Sequence, residues 1–333
     1  MAGSAPRTRI TDVAKLAGVS LSTVSRAMND NPTVDPALVA RVKAAAAELG
    51  YTANPLARSL VLGRTQTVAV VVPDLENPTF QAMLRGLSRA AASDGYHVLI
   101  ADSVENVDDE RVLARTTRLR TDGLVLCSPR MPEDELRSLL PEVAPAVVIN
   151  RGELPDAPVI AADYSAAMRE LIEHLRSLGH RRIAYLAGAT RSVTHQARLD
   201  AIAAAQTADG DLEVVEIAAG VDFASGSDAA DAVLASKATA VLAYNDLVAM
   251  GLLSALTARG IRVPEDISLT GFDDIPFAAH ATPPLTTAAV PSAELGAHAW
   301  RAMHELLGGG EASGRETLTP RIVVRDSTGP APA

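Results

Sequence analysis

Apolar positions in the first fifty residues recur at helical spacing; past residue 66 they change to strand-length runs alternating with helical stretches. Val13, Ala14, Leu16 and Ala17 make one face of a short amphipathic helix, with Thr11 as its expected N-cap. Gly18-Val19 breaks that helix, and Ser20 can cap a second in which Thr23, Val24 and Ala27 keep the spacing. A third is predicted over 36–49, with Asp35 as cap, Pro36 in its first turn and Gly50 at its end. Ala14, Gly18 and Val24 suit a helix-turn-helix. A small alanine lets the helices approach, glycine takes the tight turn, and valine packs the second helix back. Such a unit presents the start of its second helix to a DNA major groove. Three ordinary amphipathic helices would show the same spacing.

From Thr65 the periods alternate. Strands are predicted at Val68–Val72, Tyr96–Ala101, Gly123–Leu126 and Ala146–Ile149, with helices near 80–93, 109–119 and 133–140 between them. A second series places a helix near 165–178, a strand at Arg182–Leu186 and a helix at 197–206. It continues with a strand at Ala240–Ala243, a helix at 246–259 and a strand at Ile267–Thr270. Two successive parallel α/β units follow, and the cleft between two such lobes is a natural small-molecule clamp. By periodicity alone, a regulator's sensor, a solute-binding transport protein and a two-lobed enzyme remain open.

Charge distribution sharpens the first segment. The whole chain carries −10, yet residues 1–64 hold eight Lys and Arg against four acids, leaving the remainder at −14. A basic head on an acidic body steers one end of the molecule toward phosphate. Aromatics make up only 3%, so the cores must be built from Ala, Val, Leu and Ile. The single cysteine, Cys127, excludes an internal disulfide and a cysteine zinc cluster, and is expected as a small buried hydrophobe. No secretion signal or span of ~20 apolar residues is visible, so a cytoplasmic protein is expected, with no membrane partner.

The sequence lacks a G-x-x-x-x-G-K-[ST] loop, an H-E-x-x-H pair and a G-x-S-x-G elbow. His298 and His304 are six apart, wrong for two ligands on one helical face. Gly308-Gly-Gly310 suits a surface turn, and the run from Thr328 to Ala333 suits a disordered end. No catalytic residues, metal or cofactor are expected.

The run from Ile10 to Asn29, ITDVAKLAGVSLSTVSRAMN, closely resembles the DNA-binding head of the lactose/galactose repressor family. Tyr51 to Leu60, YTANPLARSL, resembles that family's hinge helix. Gly179–Gly188, Asn245-Asp246, Gly271–Asp274, Pro283–Thr287 and Arg321–Thr328 resemble its sensor core in the right order. The resemblance implies two domains: a helix-turn-helix head over 1–64, with a hinge helix near 54–62, and a two-lobed periplasmic-binding-protein-like body over 66–330. Lobe crossings are expected near 162, 288 and 319. It also implies a homodimer on a pseudo-palindromic DNA operator, controlled by a small effector, a sugar or sugar derivative.

Carried over position by position, Leu21, Ser22 and Arg26 stand where the family reads bases. Arg26 is suited to a bidentate contact with guanine, and Leu21 to a thymine methyl. Thr11, Ser20, Thr23 and Asn29 match phosphate contacts, although Ser20 and its neighbours also suit plain helix caps. Ala57 and Leu60 lie on one face of the hinge, with Leu60 as the minor-groove wedge. A hinge of about two turns is too short to stand alone in water. Thr79, Phe80, Asn150, Arg151, Arg198, Phe223, Asn245 and Asp273 match the effector cleft, where Asp273 can accept from paired hydroxyls and Phe223 can stack on sugar C–H bonds.

The chain departs from the family at Asp163-Tyr164-Ser165-Ala166, at Ala201-Ile202 and at Ala189 after Gly188. These positions put the ligand in doubt more than the fold. The alternatives are a regulator whose effector site is atypical or lost, and a cytoplasmic solute-binding protein.

Overall fold

The computed structural model describes residues 8–29, 33–51, 63–312 and 314–332, and divides into two units at Gln66/Thr67. The first unit holds α1 (Ile10–Ala17), α2 (Leu21–Met28) and α3 (Pro36–Glu48). Val13, Ala17, Val24, Ala27 and Val42 close its small core. Gly18 takes φ +61 between α1 and α2, the left-handed conformation that glycine adopts without cost. The expected cap at Thr11 is corrected. The helix starts at Ile10, and the Arg9 amide donates to Asp12 Oδ2 at 2.9 Å, so Thr11 is an exposed first-turn residue. An acid three residues beyond the cap position, reaching back to that amide, sets the start one residue earlier. The Asp35 carboxylate accepts from the Ala37 amide at 2.7 Å and starts α3.

The second unit is built on two six-stranded sheets. Its first lobe contains β1 (Thr67–Val72), α4 (Pro78–Ser93), β2 (His97–Asp102), α5 (Val107–Arg118), β3 (Gly123–Cys127), α6 (Glu133–Leu139), β4 (Ala146–Ile149) and β5 (Val159–Ala162). The second contains α7 (Tyr164–Ser177), β6 (Arg182–Ala187), α8 (Val193–Ala208), β7 (Glu213–Ala218), α9 (Phe223–Asp228) and α10 (Ala230–Ala235). It goes on through β8 (Ala240–Ala243), α11 (Asp246–Ala258), β9 (Ser268–Asp273) and β10 (Thr286–Ala289). The chain then returns to the first lobe with α12 (Ser292–Leu307) and β11 (Arg315–Leu318), and ends on the second with β12 (Arg321–Val323).

Strand orders are β11-β5-β4-β3-β1-β2 and β12-β10-β9-β8-β6-β7. All pairs are parallel except β10 with β12. The crossings between lobes therefore fall after Ala162, after Ala289 and after Leu318. Central strands such as β3 and β8 are buried throughout, as helix-covered parallel strands require.

Several elements were not predicted from the pattern, among them β5, β7, β10, β11, α9, α10 and α12. β7 sits at a sheet edge with no fully buried residue, and α12 packs across α4 so closely that a Cβ on Gly86 would lie 1.9 Å from the Ala293 carbonyl oxygen. The end of the chain is also a correction, since residues 328–331 are docked rather than disordered. The Gly329 amide donates to Ser268 Oγ at 3.0 Å and the Ala331 amide to the Leu178 carbonyl at 2.8 Å. Buried His180 sits beneath, its Nδ1 2.8 Å from Thr239 Oγ1 and its Nε2 3.0 Å from the Gly329 carbonyl. Backbone groups with partners in the fold hold a Pro- and Ala-rich tail that has no periodicity of its own.

Candidate functional site

In the head, α2 turns Val24 and Ala27 into the core and leaves Leu21, Ser22 and Arg26 on the outside. Leu21 is 48% exposed at the helix start, a large apolar side chain in water. The Arg26 Nε donates to the Ser22 carbonyl at 3.3 Å, one turn back on the same helix, and the side chain is exposed. Ser20 is a cap: its Oγ accepts from the Thr23 amide at 3.2 Å and lies 2.9 Å from both Ser22 Oγ and Thr23 Oγ1. Asn29 Nδ2 donates to the Ser25 carbonyl at 2.9 Å. Ala57 and Leu60 lie outside the described residues.

In the body, a cavity of about 30 Å³ lies where the carboxyl ends of the strands meet. Asn77, Thr79 and Phe80 follow β1, Glu105 follows β2, and Ser128 and Arg130 follow β3. Tyr164 follows β5, Thr194 and Arg198 follow β6, Tyr244 follows β8, and Asp273 ends β9. This is the position that open parallel sheets reserve for ligands.

Asp273 has φ +103, an unusual conformation for a residue with a side chain. Burial pushes its carboxyl up to about 6, while the Arg198 guanidinium pulls the other way. The Thr79 hydroxyl faces the same carboxylate without a hydrogen bond of full geometry. Arg198, 2% exposed, donates from Nη1 to Thr194 Oγ1 at 3.2 Å, and its Nε has no partner.

On the first lobe, Arg130 grips Glu105 with two parallel bonds of 2.7 and 2.8 Å. Its loop is held from behind. The buried Glu110 carboxylate accepts the Arg130 and Met131 amides at 3.0 and 2.9 Å. Burial raises the Glu110 carboxyl above its ordinary value.

Of the eight residues matched to an effector cleft, Thr79, Phe80, Arg198 and Asp273 line this cavity. The other four are placed differently. Asn150 is one layer behind: its Nδ2 donates to Ser128 Oγ and to the Tyr164 hydroxyl, both at 3.2 Å, and its Oδ1 accepts the Ala162 amide. Arg151 turns away to the Pro129 and Met131 carbonyls, at 3.2 and 3.1 Å, and braces the Arg130 loop. Asn245 caps α11, accepting the Val248 amide and donating to the Val221 carbonyl, both at 2.8 Å. Phe223 opens α9 with its ring half in solvent and away from the cavity.

Tyr164, Tyr244, Thr194, Arg130 and Glu105 were missed. All but Thr194, which lies in the first turn of α8, share the signal of position just past a strand end, and Tyr164 also stood out as a departure from the family pattern. Ala201 and Ile202, also departures, are buried in the hydrophobic core rather than at the cleft. Ala189 lines the outer mouth with Arg191, Glu105 and Arg130.

Comparison with known proteins matches residues 9–54 to the bacterial regulatory proteins of the lacI family and residues 172–328 to the periplasmic binding protein-like domain. The HTH-type transcriptional repressor CytR of Escherichia coli strain K12 is 33% identical over 325 residues, covering 95% of each chain. Among solved structures, the lac repressor dimer bound to operator and the anti-inducer ONPF superposes with a TM-score of 0.88 at 27% identity. The match covers 97% of this chain and 99% of that one. A complex of the transcriptional regulator CelR with cellobiose gives a TM-score of 0.70 at 31% identity, over 96% and 100% of the two chains.

Proposed function

Because the chain belongs to the lacI family of bacterial regulatory proteins, we propose that it is a sequence-specific transcriptional repressor whose operator affinity is set by a small polyhydroxylated effector held at Arg198 and Asp273. The observation that carries the effector reading is the convergence, at the strand ends of both lobes, of an unpartnered Arg198 Nε and a desolvated Asp273 carboxylate faced by the buried Thr79 hydroxyl. Buried polar groups without partners are costly, and paired hydroxyls of a polyol satisfy a donor and an acceptor together.

On the DNA side, the outward stripe Leu21, Ser22 and Arg26 reads bases. Thr11, Thr23 and Asn29 approach phosphates, while the Ser20 hydroxyl is engaged in the cap. The protein acts as a homodimer on a pseudo-palindrome, like the lac repressor dimer on its operator. Ala57 and Leu60 reach the minor groove at its centre.

The three crossings form the pivot of the body. An effector bridging Thr79 on one lobe and Asp273 on the other favours one lobe angle, and so biases operator affinity by its differential binding to the two states.

The test is selection of bound fragments from sheared genomic DNA by the purified full-length protein, with and without a panel of sugars. Enrichment of a short palindrome that shifts with one sugar supports the proposal. No enrichment at low salt removes the DNA-binding half of it and leaves a solute-binding protein.

A further inference from the structure

The Arg198 guanidinium lies among three rings of its own lobe, its Cζ 4.1 Å from the Phe272 centroid and 4.7 Å from those of Tyr164 and Tyr244. The rings are fixed in turn. Tyr164 stacks on Phe272 at 5.5 Å with 13° between the planes, and its hydroxyl is held by Asn150. Tyr244 meets His195 edge-on at 5.8 Å and is backed by Gly188, where a Cβ would lie 2.2 Å from the ring. Arginine and rings all belong to the second lobe. Parting the lobes therefore widens the cavity on the Thr79 and Phe80 side and keeps Arg198 with its rings, while the bond from first-lobe Asn150 to the Tyr164 hydroxyl is released.

A guanidinium packed among rings engages a ligand in its own plane. Its Nη1 donates to Thr194, and its buried Nε has no partner. The ring surfaces are spent on each other and on Arg198, so they offer little stacking area to a ligand. The charges also balance, Arg198 against Asp273 and Arg130 against Glu105. A phosphate or carboxylate entering here would sit uncompensated beside Asp273. The space is small: about 30 Å³ accommodates about two waters, so a ligand's size sets how far the lobes must part.

Resting on the effector reading above, we propose that Tyr164 is the specificity-determining residue of the site. By packing against Arg198 and filling the floor of the cleft, it restricts the effector to a neutral polyol of monosaccharide size held by in-plane hydrogen bonds. Sugar phosphates, disaccharides and nucleosides are turned away.

Calorimetric titration of the full-length protein with ribose, glucose, glucose 6-phosphate, cellobiose and adenosine tests this, alongside Tyr164→Phe, Tyr164→Leu and Tyr164→Ala. Wild type should take ribose or glucose and none of the other three. Tyr164→Phe keeps the ring and should keep that profile. Tyr164→Ala should lose about tenfold in monosaccharide affinity and acquire cellobiose or adenosine. Tyr164→Leu, close to the ring in bulk, guards against a variant that fails to fold and should lose the monosaccharide preference in the same direction. The proposal is overturned if wild type binds no monosaccharide, if it binds a phosphate, disaccharide or nucleoside as well as one, or if the folded variants keep the wild-type profile. Retention on the selected operator, measured on the same samples, reports separately on the DNA-binding reading.

Discussion

The Thr287 hydroxyl donates to Asp246 Oδ1 at 2.6 Å, joining the start of α11 to β10 beneath the cleft. The other carboxylate oxygen accepts the Ile275 amide at 2.8 Å, so one wholly buried side chain also fixes the loop that follows Asp273. Burial, with the nearby negative Asp273, pushes the Asp246 carboxyl well above the usual carboxylate range. Asp246→Ala leaves a hydroxyl and an amide unsatisfied and should cost about 2–4 kcal/mol in urea unfolding. Asp246→Asn should cost clearly less. Equal midpoints for wild type and the alanine variant would show that water replaces the carboxylate.

Arg26→Ala should reduce affinity for the selected operator by about 1–3 kcal/mol while leaving most of the binding to random DNA. Salt titrations of both complexes separate the two effects. Equal losses on operator and random DNA would reassign Arg26 to the phosphates.

Effector affinity should depend on pH through Asp273. Its carboxyl titrates near 6, so above about pH 7 it is charged and accepts from the effector's hydroxyls. As pH falls through 6 it takes up a proton, loses that acceptor role, and the affinity should drop by up to about tenfold per pH unit. Asp273→Asn should bind more weakly at neutral pH and respond little between pH 5 and 7. A wild-type affinity that is level across this range would remove the carboxylate from the contact set.

Gly86→Ala places a methyl group against the Ala293 carbonyl and must push α4 from α12. A loss of about 1–3 kcal/mol is expected, visible as a lower thermal midpoint. Because Thr79 and Phe80 lie in the first turn of α4, effector affinity should weaken as well. An unshifted midpoint would mean that the crossing adapts at no cost.

The basic head, its three helices and the alternation that makes two α/β lobes were all legible in the chain, because each follows from local spacing. Helical faces repeat every three or four residues, and buried parallel strands are continuous apolar runs. Local signals also marked Ser20 and Asp35 as helix-starting residues, whereas Asn245, matched to the effector cleft, proved to be a cap only in the structure. Arg198 and Asp273 came from the family motif, and both line the cavity.

Tertiary structure decided the remainder. Asn150 and Arg151 are adjacent polar residues past a strand end, and nothing local says that both turn inward, one to Tyr164 and the other to the Arg130 loop. The tail after Thr328 has no pattern, yet it docks on His180 and Ser268 because their polar groups face it across the fold. The aromatic cage joins Tyr164, Tyr244 and Phe272, at or just past three different strand ends, to Arg198 in the second turn of α8. A residue's partners across the sheet depend on strand order, and parallel strands joined by helical crossovers leave no trace of that order in local periodicity. The sequence therefore determined which elements form and which faces they bury, and the packing of strand ends decided which side chains meet in the cleft.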